Sequence, residues 1–333
     1  MKVAVIGAGT MGKVHLNCYQ KMEKIEVVLC ELDQQKREEI SRLYRIDSTG
    51  DYQQVLAADF DIIDICLPTY LHQEYTIKAA RAGKHVFCEK PIALNEEAAW
   101  NMLSVCRENG VKLGIGMVLR FYPEYRALRQ RYQEGLIGEA GVINGFRGGG
   151  GYPRGWNDWY ADEQASSSLV VDLLIHEVDF IQWVFGDVRR VYAKRKCSAG
   201  RSGEDKFEIY STIFQLENGV LVNLDGSWYD EGGFHSWLEV AGTDGLIAIR
   251  PERSIPIKTQ FNSILGAEVA VPASPLTKTP FQLELEDFVE AVQQDRPPGV
   301  RVEEAIKALR VTLKMYQSAQ LGEVIDVKGG QSR

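Results

Sequence analysis

The sequence predicts an α/β protein: a parallel, doubly wound sheet over roughly the first 120 residues, followed by an antiparallel sheet. Three observations predict it. Short Val- and Ile-rich runs alternate with helical patterns as far as Met117. A glycine-rich turn follows the first of those runs. From Val188 to Arg250, strand patterns then succeed one another with no helix between them.

The strand candidates of the first part are residues 3–6, 26–31, 61–67, 85–88 and 112–117, apolar runs of the kind that parallel sheets bury on both faces. Helical patterns lie between them at 11–22, 34–43, 51–57, 73–82 and 96–109. Gly83 can take the left-handed conformation that closes the fourth helix. Asn95 can cap the fifth, with Glu96 and Glu97 at the positive end of its dipole, and Asn109-Gly110 stops it. A strand at 139–147, four glycines at 148–151 and one long helix at 169–185 follow. Residues 188–197, 207–216, 220–228, 237–241 and 246–250 then read as strands whose alternation predicts one buried face. Asn218-Gly219 and Asp244-Gly245 are hairpin turns. Residues 254–280 read as strand fragments and loop, and helices at 281–294 and 302–321 end the chain.

A length of 333 residues suggests two domains at about 150 residues each. Acidic groups exceed basic ones by eight, which argues against a nucleic-acid partner. No apolar run approaches the ~20 residues needed to span a bilayer, and no basic leader precedes the first strand. The six cysteines are scattered with no CxxC pair, which fits reduced core thiols and a cytoplasmic setting.

Gly7-Ala8-Gly9-Thr10-Met11-Gly12 is G-x-G-x-x-G between a strand and a helix, and Glu31 stands 19 residues beyond Gly12. That context is the dinucleotide fingerprint: the glycines admit the pyrophosphate to the helix N-terminus, and the acid accepts ribose hydroxyls. The charge of Glu31 favours NAD over NADP, although Lys36 and Arg37 nearby blunt the preference.

Lys90, in Glu89-Lys90-Pro91, follows the carboxyl end of a sheet strand, the edge where doubly wound sheets bind ligands. Pro91 keeps its backbone extended. Such a lysine can donate to a substrate oxygen; a solvated lysine before a turn is the alternative. Asp172 and His176, four apart in an apolar helical pattern, are expected on one face and suit acid–base chemistry. A capping Asp with a core His is the alternative. His176-Glu177 also begins HExxH, but the second histidine is absent, so no metal is expected. Pro68, Thr69 and His72 follow a strand end and are expected near the nicotinamide, His72 being equally open to a structural role. His15 is expected to be a packing or surface residue. The glycines at 148–151 lack the Lys-Ser/Thr ending of a phosphate loop and read as a flexible link near the substrate. Trp156, Asn157, Tyr160 and His235 are candidates for lining a sugar pocket.

With these residues in view, the chain resembles the Gfo/Idh/MocA family of glucose-fructose oxidoreductases, inositol dehydrogenases and rhizopine-catabolism proteins. The resemblance rests on Gly7 to Gly12, Pro68-Thr69 with His72, Ala82 to Val86 with Glu89-Lys90-Pro91, Arg120-Phe121 with Pro123, and Asp172, His176 and Asp179. It implies a Rossmann domain, expected at 1–119, joined to an α/β domain at 120–333 with a large, open, mostly antiparallel sheet. It implies an NAD-dependent oxidoreductase acting on a secondary hydroxyl of a sugar, a cyclic polyol or a related compound. Homodimers or homotetramers built on the sheet are expected. Lys90, Asp172 and His176 match the family's catalytic group; Gly7, Gly9, Thr10, Met11, Gly12, Glu31, Pro68, Thr69, His72, Glu89 and Lys90 match its cofactor side. Lys90, Arg120, Trp156, Asn157, Asp172, His176 and His235 are expected to meet substrate. The family often has glycines where Ser166-Ser167-Ser168 and Leu174 stand here. Two other readings stay open: a retained NAD used in transient oxidation for glycoside cleavage or epimerisation, and a non-catalytic cofactor-binding regulator.

Overall fold

The computed structural model describes residues 1–153, 155–166, 168–198, 207–229, 233–250 and 278–328. They fall into two compact units. One lies within Met1–Phe121, Gly155–Asn157 and Ala273–Ile306, the other within Tyr122–Arg154, Asp158–Pro272 and Lys307–Arg333. The expected strand fragments at 254–280 lie almost wholly outside the described residues.

The first unit holds a parallel sheet of β1 (Lys2–Ile6), β2 (Glu26–Cys30), β3 (Ser48–Thr49), β4 (Ile62–Ile65), β5 (His85–Cys88) and β6 (Leu113–Ile115). Their order is β3-β2-β1-β4-β5-β6, so strand order reverses between β1 and β4, the switch point where such sheets take ligands. Val5 pairs with Leu29 on one side and Asp64 on the other. The helices are α1 (Thr10–Tyr19), α2 (Gln34–Tyr44), α3 (Tyr52–Ala57), α4 (Thr69–Arg81) and α5 (Glu96–Glu108). Side chains cap three of them: Asp33 accepts from the Lys36 amide, Asp51 from Gln53 and Asn95 from Ala98. Helix α4 begins at Thr69 rather than at residue 73. Pro68 supplies its extended N-cap, so Thr69 and His72 belong to its first turn and not to a loop.

The second unit begins with α6 (Pro123–Gln133), which was not expected and which opens on a proline at its first position. Its sheet contains β7 (Ala140–Gly148), β8 (Val188–Cys197), β9 (Glu208–Leu216), β10 (Leu221–Ser227), β11 (His235–Gly242) and β12 (Leu246–Ile249). Short helices α7 (Glu163–Ser166) and α8 (Leu169–Asp172) and the longer α9 (Ile175–Phe185) lie between β7 and β8 in the chain. After β12 come α10 (Pro280–Gln293), α11 (Val302–Leu321) and the edge strand β13 (Ile325–Asp326). The sheet order is β12-β11-β7-β10-β9-β8-β13; β7 and β10 pair in parallel and the other neighbours are antiparallel. Asn218-Gly219 and Asp244-Gly245 make the expected hairpins, β9–β10 and β11–β12.

Helix α10 packs with the first unit. Leu285, Phe288 and Val289 join Val3, Leu16, Leu29 and Phe87 in one buried core. The Phe87 and Phe288 rings meet edge to face with centroids 5.4 Å apart. Gly114 of β6 leaves room for Phe288, since a Cβ there would stand 2.5 Å from its ring. A single cut after residue 119 would place this helix with the wrong core.

Candidate active site

The dinucleotide turn lies in the first unit. Gly7 has φ +94°, and a Cβ there would sit 2.8 Å from the Cys66 carbonyl oxygen. A Cβ on Gly12 would sit 2.0 Å from the Gly7 carbonyl oxygen, so α1 enters against bare backbone. Gly9 is the N-cap of α1, and a Cβ there would meet nothing within 4 Å. No side chain caps α1, and its first turn carries no acid. Its leading amides, from Thr10 and Met11 onward, therefore suit the negative charge of a pyrophosphate. These residues fit a dinucleotide.

Glu31 follows β2 and reaches back to this turn. The Ala8 amide donates to its Oε2 at 2.9 Å, Lys36 Nζ lies 2.9 Å from the same oxygen, and the Asp33 amide donates to Oε1 at 3.1 Å. Burial pushes the carboxyl pKa up, but the Ala8 amide and Lys36 outweigh it, so the group is held below its ordinary value as a carboxylate. Arg37 donates to the Glu31 backbone carbonyl at 2.8 Å instead.

His72 is buried, with Nδ1 2.9 Å from the Pro91 carbonyl oxygen and Nε2 2.8 Å from that of Leu67. Burial depresses its pKa, and the carbonyls oppose that without cancelling it, so the ring is neutral. Both of its nitrogens face backbone carbonyls. His72 thus ties the turn after β4 to Pro91, beyond β5, the structural role that the sequence left open. Lys90 is half-buried, joined to Pro91 by a cis peptide, and its amide donates to Glu89 Oε2 at 3.1 Å. Arg120 lies buried in a 3-10 turn (Val118–Phe121), and its guanidinium pairs with Glu304.

His15 was expected to pack or face solvent, but it is fully buried among charges. Its Nδ1 is 2.8 Å from Asp64 Oδ2, and its Nε2 is 3.0 Å from Glu89 Oε1. The Nε2 proton is poorly aligned on that oxygen, so the second contact is attraction between charges more than a formed hydrogen bond. Burial alone would lower the His15 pKa; the Asp64 carboxylate and Cys66 overcome it and hold the ring well above its ordinary value. The signal in the sequence was Asp64 itself, an acid inside the apolar strand Ile62–Ile65. His15, Asp64 and Cys66 bring ligand-type atoms within 4.8 Å of one another. The 2.8 Å between Nδ1 and Oδ2 is the length of an ordinary hydrogen bond.

In the second unit, the expected single helix at 169–185 is divided into α8 and α9. Leu173 donates to the Leu169 carbonyl at 2.7 Å and Leu174 to the same oxygen at 3.3 Å, so the regular ladder widens here. The cause is packing on the sheet. A Cβ on Gly226 of β10 would lie 2.8 Å from both Leu169 Cδ2 and Leu174 Cδ2, so these leucines press onto bare backbone. Asp172 ends α8 and His176 lies in the first turn of α9; both are buried. Glu177, next to His176, accepts from Arg147 Nη1 at 2.7 Å. Ser168 precedes α8 with φ +140° and ψ 169°, a conformation that glycine adopts at least cost.

His235 is not on this side. It pairs with Gly148, and its ring stacks on Phe146 with centroids 4.8 Å apart. Arg147, one residue from each, points to the helix-covered face and Glu177. Strand alternation therefore puts His235 on the face opposite Arg147 and Glu177. Trp156 is exposed and Asn157 has φ +53°, both in the 3-10 turn Trp156–Ala161. The glycine run is built into the fold: a Cβ on Gly149 would sit 1.9 Å from the Gly233 carbonyl oxygen.

Comparison with known proteins follows the same division. Residues 1–117 match the oxidoreductase family with an NAD-binding Rossmann fold, and residues 125–248 match the GFO/IDH/MocA C-terminal domain. The uncharacterized oxidoreductase YrbE of Bacillus subtilis is 25% identical over 336 residues, covering 97% of this chain and 96% of its own. An inositol 2-dehydrogenase/D-chiro-inositol 3-dehydrogenase of Shouchella clausii is 24% identical over 308 residues, covering 89% of this chain and 85% of its own. The crystal structure of a myo-inositol 2-dehydrogenase from Lactobacillus plantarum superposes with TM-score 0.81 at 26% identity, over 98% of this chain and 99% of that one. The dinucleotide turn, the two sheets and both family models agree: the chain belongs to the Gfo/Idh/MocA family of oxidoreductases, with an NAD-binding Rossmann fold at its N-terminus.

Proposed function

We propose that the chain is an NAD-dependent dehydrogenase acting on a secondary hydroxyl of a cyclic polyol or sugar. The observation that carries this reading is the Glu31 carboxylate held against Ala8 inside an intact dinucleotide turn. The inositol dehydrogenases among its relatives support the substrate class. NAD, when bound, supplies the hydride acceptor. Gly7, Gly9, Gly12 and the first amides of α1 hold the pyrophosphate, and Glu31 accepts from the ribose hydroxyls, disfavouring NADP.

The chemistry falls to three residues. His176 takes the hydroxyl proton as the alcohol is oxidised. Asp172 stabilises the resulting imidazolium or binds a neighbouring hydroxyl. Lys90 stabilises the developing alkoxide and helps relay the proton. Trp156 and Asn157 remain candidates for sugar contacts. A screen of inositols, hexoses, sugar acids and amino sugars for NAD reduction tests the reading. Steady NADH production is expected. Turnover without net NADH would replace it with transient oxidation, and a bound partner with no product at all would replace it with a regulator.

The open face of the second sheet supports a homodimer or a dimer of dimers. Among the described residues helices cover one face, and the other carries Phe146, Ile209, Ile213, Leu221 and Trp237 beside polar neighbours. Ile213 is 52% exposed and Leu221 48%, apolar groups on one face that pairing between subunits would bury. A monomeric mass at micromolar concentration would overturn this assembly. The cysteines are free thiols, which suits a cytoplasmic setting, and no helix among the described residues is long and apolar enough to cross a membrane.

A further inference from the structure

A row of buried charges lies beneath the dinucleotide turn, none of them used in the chemistry above. His15 sits on α1, Asp64 inside β4 and Glu89 just beyond β5. The imidazole stands between the two carboxylates, 2.8 Å from one and 3.0 Å from the other. A neutral ring has a single N–H for two acceptors, so this placement calls for the imidazolium. Among the described residues, Tyr19 and Cys18 of α1, Cys66 after β4, His72 of α4, Cys88 of β5 and Lys90 are the other titratable groups that face the row. The Glu89 carboxylate rests on Gly116, where a Cβ would come within 3.2 Å of it, and accepts the Lys90 amide. Burying such a triad is a poor route to stability, because well-packed apolar side chains do as well or better. Its geometry makes a different use plain: it ends on the backbone of Lys90.

We infer that His15, Asp64 and Glu89 form a positioning array for Lys90. Asp64 orients His15, His15 holds the Glu89 carboxylate, and Glu89 fixes the Lys90 amide. The inference rests on the reading of Lys90 as a participant in catalysis. The array also links two parts of the unit, because α1 carries the dinucleotide turn at its N-terminus and His15 further along. His15 is thus a positioning residue and touches neither cofactor nor substrate.

The test is a double-mutant cycle with His15→Asn and Lys90→Ala, using myo-inositol or the polyol selected by the NAD-reduction screen. Asparagine keeps a donor near Asp64 and removes the nitrogen that faces Glu89. His15→Asn should lower kcat by about ten- to a hundredfold, the cost of misplacing a reacting group, while NADH affinity by fluorescence titration stays within about twofold. The double variant should be no slower than Lys90→Ala alone, because His15 acts through Lys90. A His15→Asn kcat near wild type beside a damaged Lys90→Ala would overturn the array. So would multiplicative effects, which are the mark of a merely structural role. A near-normal Lys90→Ala would instead overturn the catalytic reading beneath it. If His15→Asn does not fold, Asp64→Asn, which keeps the size and removes the charge that orients His15, takes its place with the same expected outcomes.

Discussion

Arg147 donates from Nη1 to Oε1 of Glu177 over 2.7 Å, joining β7 to α9 one residue from His176. Both side chains are buried. Arg147→Met removes the guanidinium and leaves its carboxylate partner in place. A broken buried pair costs about 3–5 kcal/mol. We expect a loss of that size in urea unfolding, largely recovered in Arg147→Met/Glu177→Leu, where both charges are gone. A single variant as stable as wild type would show that the pair does not hold α9 to the sheet.

Ser168 is strained where glycine would not be. Its φ of +140° lies in a region that costs an L-residue about 1–3 kcal/mol. Ser168→Gly relieves that strain and gives back up to about 1 kcal/mol through the freer unfolded chain. The expected net is a gain in stability of about 1 kcal/mol, read as a rise in Tm. A fall in Tm would mean that the serine hydroxyl contributes more than its backbone costs.

The charges around His15 make stability depend on pH in a defined sense. The folded pKa of His15 is raised above its ordinary 6.5, so its contribution is fully present below 6.5 and is lost as pH rises through the folded value. Glu89 is pushed up by burial but pulled down further by His15, to below its ordinary 4.5. Its contribution is fully present above 4.5 and is lost as pH falls through the lowered value. Urea midpoints should therefore decline from about pH 6.5 upward, before free thiols titrate near 8.5. His15→Asn should flatten that decline; an unchanged slope would remove His15 as its source.

Cofactor choice rests on Glu31. Losing a hydrogen bond to a charged group costs about 1.5–3 kcal/mol. Glu31→Ala should therefore shrink the NAD-over-NADP ratio of kcat/KM by about ten- to a hundredfold. A wild-type enzyme that prefers NADP would sink the reading.

General acid–base help is worth about 10²–10⁴-fold, so His176→Ala should lower kcat by that factor. NAD binding should persist, because His176 lies in the second unit and the dinucleotide turn in the first. Near-normal turnover would take the proton-acceptor role from His176.

Local chemistry alone determined the alternating strands and helices of residues 1–117, the Asn218-Gly219 and Asp244-Gly245 hairpins, and the dinucleotide turn with Glu31. Each is settled by neighbours a few residues apart: a capping side chain, a glycine at positive φ, a two- or three-and-a-half-residue apolar period. Tertiary contacts decided the rest. Phe288 enters the core of the first unit beside Phe87, some two hundred residues away in sequence, and no periodicity announces such a partner. Gly226 of a later strand divides α8 from α9 by admitting Leu169 and Leu174. The face of His235 follows from its register against Gly148, where a one-residue slip would have turned it to the other side. His15 became a charged, buried residue only because β4 and β5 bring Asp64 and Glu89 to its two nitrogens, and burial makes each of those charges depend on the others.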